Sequence, residues 1–484
     1  MVHEKEPVLP LGNLLFPRIF QAFHIAVRPT NLVIALAALT ILCLTGRIMD
    51  LNRTVVVDPG FAGAAPRDTL RPGTASAPTS GTSPEIRRTR GVTELDLYLL
   101  PDATLTKNFI ESRKGFTESK EAVRTGVFTT LWRFGDKEFH NALFALLSWN
   151  LPGLVRSVTN GVKALLWAFR WHTLYSVVFF AVAFVVLSLA GLAICRSAAL
   201  QFARAEKPRL TLTVRFARRR LLSLLGAEIA PAALIAACGL PTILLGLLGN
   251  VPMAGPVLTG LFLPLSLLVA CAVAIVLIGM VGGASLMAPA IAYEDADGFD
   301  AVVRSFLVFS EPWRMGFYTI AAALYGAICY VFVRLFGFLL LWTTYRFLEI
   351  GFLRQNASLH AVWPEPTFAS FLGPGAAVPG TWYLSLAALL IRVWVLVVIG
   401  VTASFVVSFY FSASTIIYAL LRQRADGIAW EEISTRSDEA AVKPPLSEKG
   451  PEAAAGVPTT ARNGGSEQEP GSRAAVGDPP QTSG

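Results

Sequence analysis

TLYSVVFFAVAFVVLSLAGLAIC, residues 173 to 195, carries no charge. It is followed by Arg196, Arg204, Lys207, Arg209, Arg215, Arg218, Arg219 and Arg220, with Glu206 the only acid among them. About 20 apolar residues suffice to span a hydrocarbon core roughly 30 Å thick. Lipid offers nothing to the backbone N–H and C=O groups, so only a helix or a closed barrel crosses it. The run is too long and too evenly apolar for a barrel strand, which predicts a transmembrane helix. By the positive-inside rule the short basic loop behind it is cytoplasmic. The loop acts first as a topology determinant, with a patch for anionic lipid second and nucleic-acid binding last.

The rest of the chain follows the same pattern. Of 484 residues, 54% are hydrophobic and 15% charged, against about 25% charged in ordinary soluble domains. The mean hydropathy is +0.55. The expected fold is all-α: a polytopic helical membrane protein with about six transmembrane helices plus interfacial amphipathic helices. The net charge of +8 is distributed as membrane topology requires, and no nucleic-acid partner is expected. Cys43, Cys195, Cys238, Cys271 and Cys329 each fall within a predicted span without C-x-x-C spacing. They are expected to be small packing residues rather than a zinc or redox set.

Five more runs complete the count. Residues 31–49 form the first span; a cleaved signal peptide is the rival reading, disfavoured by its distance from residue 1 and by the lack of an A-x-A-like site. Residues 230–248 follow the basic loop, with Pro231 in the first turn and Pro241 kinking the helix. A short uncharged turn leads to 259–283, where Gly279, Gly282 and Gly283 permit close helix contact. The fifth span runs from about Met315 to Leu341. Trp313 and Trp342 bracket it, about 44 Å apart along a helix, near the thickness of a bilayer with headgroups. The final apolar run, 382–421, exceeds one upright span. With Arg392 and Trp394 at the outer interface, 395–417 remains as a span and the preceding segment lies along the surface. Arg422 and Arg424 then stop transfer on the inside. Five or seven spans stay open.

The resulting organisation is a cytoplasmic N-terminal segment 1–30 with an interfacial helix, a first span 31–49 and a disordered extracytoplasmic linker 50–91. There follow an amphipathic helical region 92–172, a membrane core 173–421 with five spans and a disordered cytoplasmic tail 422–484. Within 92–172, Leu154, Val158, Val162, Leu165 and Phe169 fall on one helical face. That helix either lies half sunk in lipid headgroups or packs on a small extramembrane subdomain.

Between spans four and five stands MAPAIAYEDADGFDAVVRSFLVFSEPWRMGFY, residues 287 to 318. Asp297 is placed to cap a helix beginning GFDAVVRS, with Phe299, Val302, Val303, Phe306 and Phe309 on its apolar face. Asp300 and Arg304 stand four apart in the favourable order. Three readings compete for Glu294, Asp295 and Asp297: capping and solvation, pairing with the basic 196–220 loop, and an ion or substrate gate. The pattern P-A-I-A-x-E-x-x-D-x-F-D-A-x-x-R-S-F, Pro289 to Phe306, followed by Pro312-Trp313-Arg314, resembles a recurrent element of uncharacterised bacterial multi-pass inner-membrane proteins. It is more weakly similar to the membrane domain of some glycerophosphoryl diester phosphodiesterases. The stronger resemblance covers about residues 170 to 425. It implies an integral inner-membrane protein with no assigned reaction; the phosphodiesterase catalytic domain is not visible.

Charges within spans are functional candidates by default. Glu228 is expected near the inner face, Arg334 and Arg392 near the outer one, so Glu228 and Arg334 are not expected to pair. Neither a Walker loop, a G-x-S-x-G elbow nor a G-x-G-x-x-G turn occurs. His3, His24, His140, His172 and His360 show no metal-site spacing, although His140 and His172 both fall outside and could meet. No cofactor and no catalysis are expected. The sequence points to a bacterial cytoplasmic-membrane protein with both termini cytoplasmic, which organises membrane components or binds lipid. Anionic lipid would meet Arg218, Arg219 and Arg220. A membrane-protein partner or a second copy of the chain is the other kind of partner in view. The alternative is a small-solute or lipid transporter gated by Arg334, Arg392 or the elbow with Glu294, Asp297 and Arg304.

Overall fold

Proline, glycine and charge divide the chain into long apolar helices and short connections. The computed structural model describes residues 16–58, 92–99, 123–252, 254–306, 312–351, 359–360, 362–368, 370–372, 381–427 and 430–433. The N-terminal residues 1–15, most of the 50–91 linker and the tail beyond 433 lie outside the described residues, so the expectations made for them are not addressed. A 3-10 helix, Phe16–Phe20, leads into α1 (Gln21–Ala26) and α2 (Pro29–Met49). Next come β1 (Val55–Asp58), β2 (Val92–Thr93), α3 (Glu94–Tyr98) and β3 (Val123–Thr125). Two helices, α4 (Val127–Leu147) and α5 (Leu151–Trp171), precede α6 (Thr173–Arg204), α7 (Leu210–Leu248) and α8 (Ala254–Glu294). The short α9 (Gly298–Ser305), α10 (Pro312–Gly351) and α11 (Trp382–Asp426) complete the order.

Six helices, α2, α6, α7, α8, α10 and α11, are long and apolar enough to cross a membrane. The fold is an all-α polytopic membrane architecture. The connections 205–209 and 295–297 fall at one end of the bundle, here the basic side; the α7–α8 turn falls at the opposite end. Burial follows that axis. On the basic side, Leu192–Cys195 and Ala198–Leu200 of α6, Leu286–Tyr293 of α8 and Ile416–Leu421 of α11 are buried together with Ile19, Ala22, Ile25 and Ala26. Towards the other end, Leu174 and Val177 of α6, Leu240 to Leu248 of α7, Val257 to Val281 of α8 and Val393 and Trp394 of α11 include many exposed apolar side chains. Water forces apolar surface into contact with protein, whereas lipid tails cover it without protein partners. The gradient therefore marks the part of each helix that faces lipid.

Close packing on the basic side uses glycine against aromatic rings. A Cβ at Gly191 would come within 2.4 Å of the Phe411 ring, and one at Gly326 within 2.4 Å of the Phe409 ring. These contacts let α6 and α10 approach α11.

Several expectations are corrected. The Phe16–Ala26 segment, expected in the membrane interface, packs its apolar side against α11 and α10. α7 begins at Leu210 and runs through Pro231, so that proline is interior rather than in the first turn. The basic loop is correspondingly short, its arginines lying on the ends of α6 and α7. α11 is one continuous helix of 45 residues with no break at Arg392; neither proline nor glycine interrupts the hydrogen-bond ladder before Gly400. The region before α4 is not purely helical. β1 pairs antiparallel with both β2 and β3, with Val57 opposite Thr93 and Val55 opposite Thr125.

In α5 the predicted apolar stripe exists but is not what the protein packs. Ser157, Ala164, Trp167 and Ala168 are buried, while Val158, Val162, Leu165 and Phe169 are exposed. Asn150 caps the helix, accepting from Gly153 N at 3.0 Å, and Pro152 occupies the first turn as expected. The small-residue face and Trp167 pack on Val55 of β1, Leu95 of α3 and Val127 of α4. The apolar stripe is left for another solvent.

Candidate functional site

The acidic elbow is built from the end of α8 and the turn into α9. Asp295 has a positive φ of 53°, a conformation that Asp tolerates better than most residues. The turn directs its carboxylate at α7, where Arg220 Nε donates to Asp295 Oδ1 at 2.6 Å and Arg220 Nη1 donates to Asp297 Oδ1 at 2.9 Å. Asp297 stands at the N-cap position of α9, yet its side chain makes no capping hydrogen bond. Of the three readings of this cluster, pairing with the basic segment is the one realised for Asp295 and Asp297.

Glu294 points the other way, into the end of α11. Tyr418 Oη donates to its Oε1 at 2.5 Å, and Arg422 Nε lies 3.0 Å from the same oxygen. Arg304 Nε from α9 lies 3.2 Å from Oε2, and Arg304 also contacts Asp426. One carboxylate thus joins three helices. Burial opposes the charge on Arg304, but Glu294, Tyr418 and Asp426 outweigh it and hold the guanidinium above the ordinary arginine range. The predicted Asp300–Arg304 partnership is replaced by this longer-range one. The apolar face foreseen for α9 is kept only in part: Val302 packs on the core beside buried Ala301 and Ser305, Phe299 and Val303 are exposed, and Phe309 lies outside the described residues. Gly283 of α8 makes room, since a Cβ there would meet the Ser305 backbone at 2.7 Å.

A strap of chain closes this side. Beyond the left-handed Gly427, the Trp430 carbonyl accepts from Tyr293 Oη at 2.8 Å, and the Glu432 carbonyl accepts from Arg422 Nη1 at 2.8 Å. Arg204 donates to the Ile433 carbonyl, and Arg18 covers the Trp430 ring. Arg196, fully buried, donates to the Ala292 carbonyl at 2.8 Å and lies over Phe216. Sequence reasoning gave no internal role to Arg196, Tyr418, Arg422 or Asp426. Their only visible signal was their place at the ends of apolar runs.

The arginine triplet divides. Arg220 is engaged inside, whereas Arg218 and Arg219 are exposed with Arg215. Those three have no carboxylate partner among the described residues. With Leu210, Thr211 and Val214 they form one open face along the first turns of α7.

Glu228 accepts from Ser188 Oγ at 3.1 Å and does not meet Arg334, as expected. Arg392 is exposed on α11. Arg334 is held on α10: Nη2 donates to the Phe368 carbonyl at 3.0 Å, and Nη1 contacts His140 of α4 and Tyr330 Oη. Leu359, Trp363 and Phe371 pack with Leu341, Tyr345 and Val395, which brings these described residues of the α10–α11 connection against both helices. His140 and His172 do not meet. His172 lies instead near Glu94 and Thr54, with its Nε2 3.6 Å from Glu94 Oε2. Among the described residues, no group of three or more His, Cys, Asp and Glu has the geometry of a metal site.

The fold and these clusters define a multi-pass α-helical membrane protein whose ionic network is concentrated at the basic end. No protein-family model, curated protein or solved structure matches the chain.

Proposed function

We propose that this chain is a non-catalytic component of a bacterial cytoplasmic membrane, with its basic side and both termini in the cytoplasm, which organises its surroundings by gripping anionic lipid. The observation that carries the reading is the division of the arginines. Asp295 and Asp297 of the elbow engage Arg220, whereas Arg215, Arg218 and Arg219 have no carboxylate partner among the described residues and share one face with Leu210, Thr211 and Val214. Basic side chains at the headgroup plane attract anionic lipid by about 1 kcal/mol each. The resemblance of Pro289–Phe306 to an element of multi-pass inner-membrane proteins supports the same setting.

The test is lipid retention. In the Arg218→Gln/Arg219→Gln double variant, phosphatidylglycerol retained by the detergent-purified protein falls by an order of magnitude or more, since about 2 kcal/mol is lost. The Arg220→Gln variant lowers stability without a comparable effect on retained lipid. Equal retention in wild type and double variant contradicts the reading.

A second reading, a small-solute or lipid transporter, has one observation in its favour: Arg334 holds the Phe368 carbonyl, in the connection that packs against α10 and α11. Liposome flux abolished by Arg334→Ala, with folding intact, selects the transporter.

A further inference from the structure

Helix α5, 21 residues and about 31 Å long, presents three faces side by side. Val155, Val158, Val162, Leu165, Leu166 and Phe169 form one, each between 41 and 63% exposed. Arg156, Lys163 and Arg170 form the second; they stand seven residues apart, nearly in line along the helix, and all are exposed. Ser157, Ala164, Trp167 and Ala168 form the third and are buried, the last three packed with Val55, Leu95 and Val127. Val162, Lys163 and Ala164 show the order, since each step along the chain turns the helix by about 100°. It runs from apolar to cationic to protein-facing. The protein contact thus fixes where the other two faces point.

The cationic row has nothing to pair with in its own chain. Helix α5 contains neither Asp nor Glu, and Arg156, Lys163 and Arg170 form no ion pair among the described residues. The apolar stripe runs on into a membrane span. Phe169 stacks on Phe180 of α6, with ring centroids 5.3 Å apart and planes at 22°. Beside it Leu174, Val177 and Val178 of α6 are exposed. They belong to a helix long and apolar enough to cross a membrane, at its end away from Arg204 and the basic network. The lipid that covers that end of α6 therefore reaches the stripe. A second copy docked stripe to stripe brings two cationic rows and no acid to the contact, whereas phosphate headgroups supply the missing anions.

We infer that α5 is an interfacial helix that binds anionic phospholipid in the leaflet away from the basic end. Its stripe meets the acyl chains, and Arg156, Lys163 and Arg170 meet the headgroups. A helix with an apolar side and a cationic border lies in the membrane plane with that side in the headgroup–acyl boundary. Trp149, 71% exposed in the turn before α5, has the side chain that favours headgroup level. The surface is independent of Arg215, Arg218 and Arg219, which stand at the opposite end of the bundle.

The full chain, cleared of its own five cysteines, carries Val162→Cys labelled with bimane in nanodiscs holding one chain each. Phospholipid brominated in mid-chain quenches the label, and aqueous iodide does not. At equal content, brominated phosphatidylglycerol quenches as if enriched about fivefold near the label over brominated phosphatidylcholine. Arg156→Gln/Lys163→Gln/Arg170→Gln removes the preference and leaves quenching by phosphatidylcholine. Arg218→Gln/Arg219→Gln leaves the preference intact, so this proposal and the lipid-retention reading of α7 fail separately. Quenching by iodide in place of brominated lipid puts the stripe in water and overturns the proposal. Shielding from both quenchers, in discs of one chain or of two, assigns the stripe to protein and overturns it as well. So does a phosphatidylglycerol preference that survives the triple substitution.

Discussion

Replacing Glu294 with alanine lowers the stability of the folded chain by about 3 kcal/mol. Removing one member of a buried ion pair costs roughly 3–5 kcal/mol, because the partner is left charged and uncompensated. Here two guanidiniums, Arg304 and Arg422, and the Tyr418 hydroxyl lose a common acceptor. The low end of the range applies because the side chains keep some contact with water: Glu294 is 14% exposed, Arg422 10% and Arg304 33%. The midpoint of an SDS titration from mixed micelles measures the loss. Arg218→Gln, which touches no acid among the described residues, changes it by less than about 0.5 kcal/mol. Equal losses in the two variants would mean that Glu294 does not join the helices.

The second large effect is at Asp50. Gly126 stands at the N-cap position of α4 and has no side chain to cap with. Asp50, at the end of α2, supplies the cap from a distance. Its Oδ1 accepts from Phe128 N at 2.9 Å, and its Oδ2 accepts from Thr129 N at 2.9 Å and Thr129 Oγ1 at 2.8 Å. A Cβ at position 126 would collide with that carboxylate, which is why glycine is needed there. Asp50→Ala leaves two backbone donors without their acceptor, at roughly 1–3 kcal/mol for a buried unsatisfied group. Amide exchange at the start of α4 is therefore faster by about thirtyfold, equivalent to about 2 kcal/mol, while exchange in α8 is unchanged. Unaltered exchange at Phe128 and Thr129 would remove Asp50 from its capping role.

Hydropathy made the membrane architecture legible, because a span is a local property of about 20 consecutive residues. The run 31–49 corresponds closely to α2, Pro29–Met49. Helix length was less legible. Once a helix leaves the lipid it continues wherever its backbone ladder is unbroken, as α11 does from Trp382 into the span expected at 395–417. The sheet was illegible for a different reason: β1 has four residues, and its partners are remote in sequence. In α5 the periodicity located the apolar stripe correctly, but the identity of its neighbour is not encoded in the stripe. Small residues let helices approach, so Ser157, Ala164 and Ala168 face protein and the larger side chains face outward.

The candidate residues show the same division. Proximity of the acidic elbow to the basic segment followed from topology, because both lie on one side. Which arginine each acid selects did not, since Arg218, Arg219 and Arg220 are adjacent in sequence and differ only in helical phase. Asp297 looked like a cap because position and residue type fitted one. Two acids converging on one guanidinium outcompeted that local bond. The internal roles of Tyr418, Arg422 and Asp426 escaped notice because Tyr418 and Arg422 meet Glu294, and Asp426 meets Arg304, only after α8, α9 and α11 have come together.

The central claim is that six spans place the basic network and the elbow on one membrane face, with the α7–α8 turn and the α10–α11 connection on the other. Single cysteines at Ala205, Asn250, Asp300 and His360, in a chain lacking its own five cysteines, are labelled with a membrane-impermeant maleimide in intact cells and in inverted vesicles. The account predicts that positions 250 and 360 react in intact cells and that positions 205 and 300 react only in inverted vesicles. Reaction of 205 and 300 from opposite faces, or of 250 from the same face as 205, would contradict it.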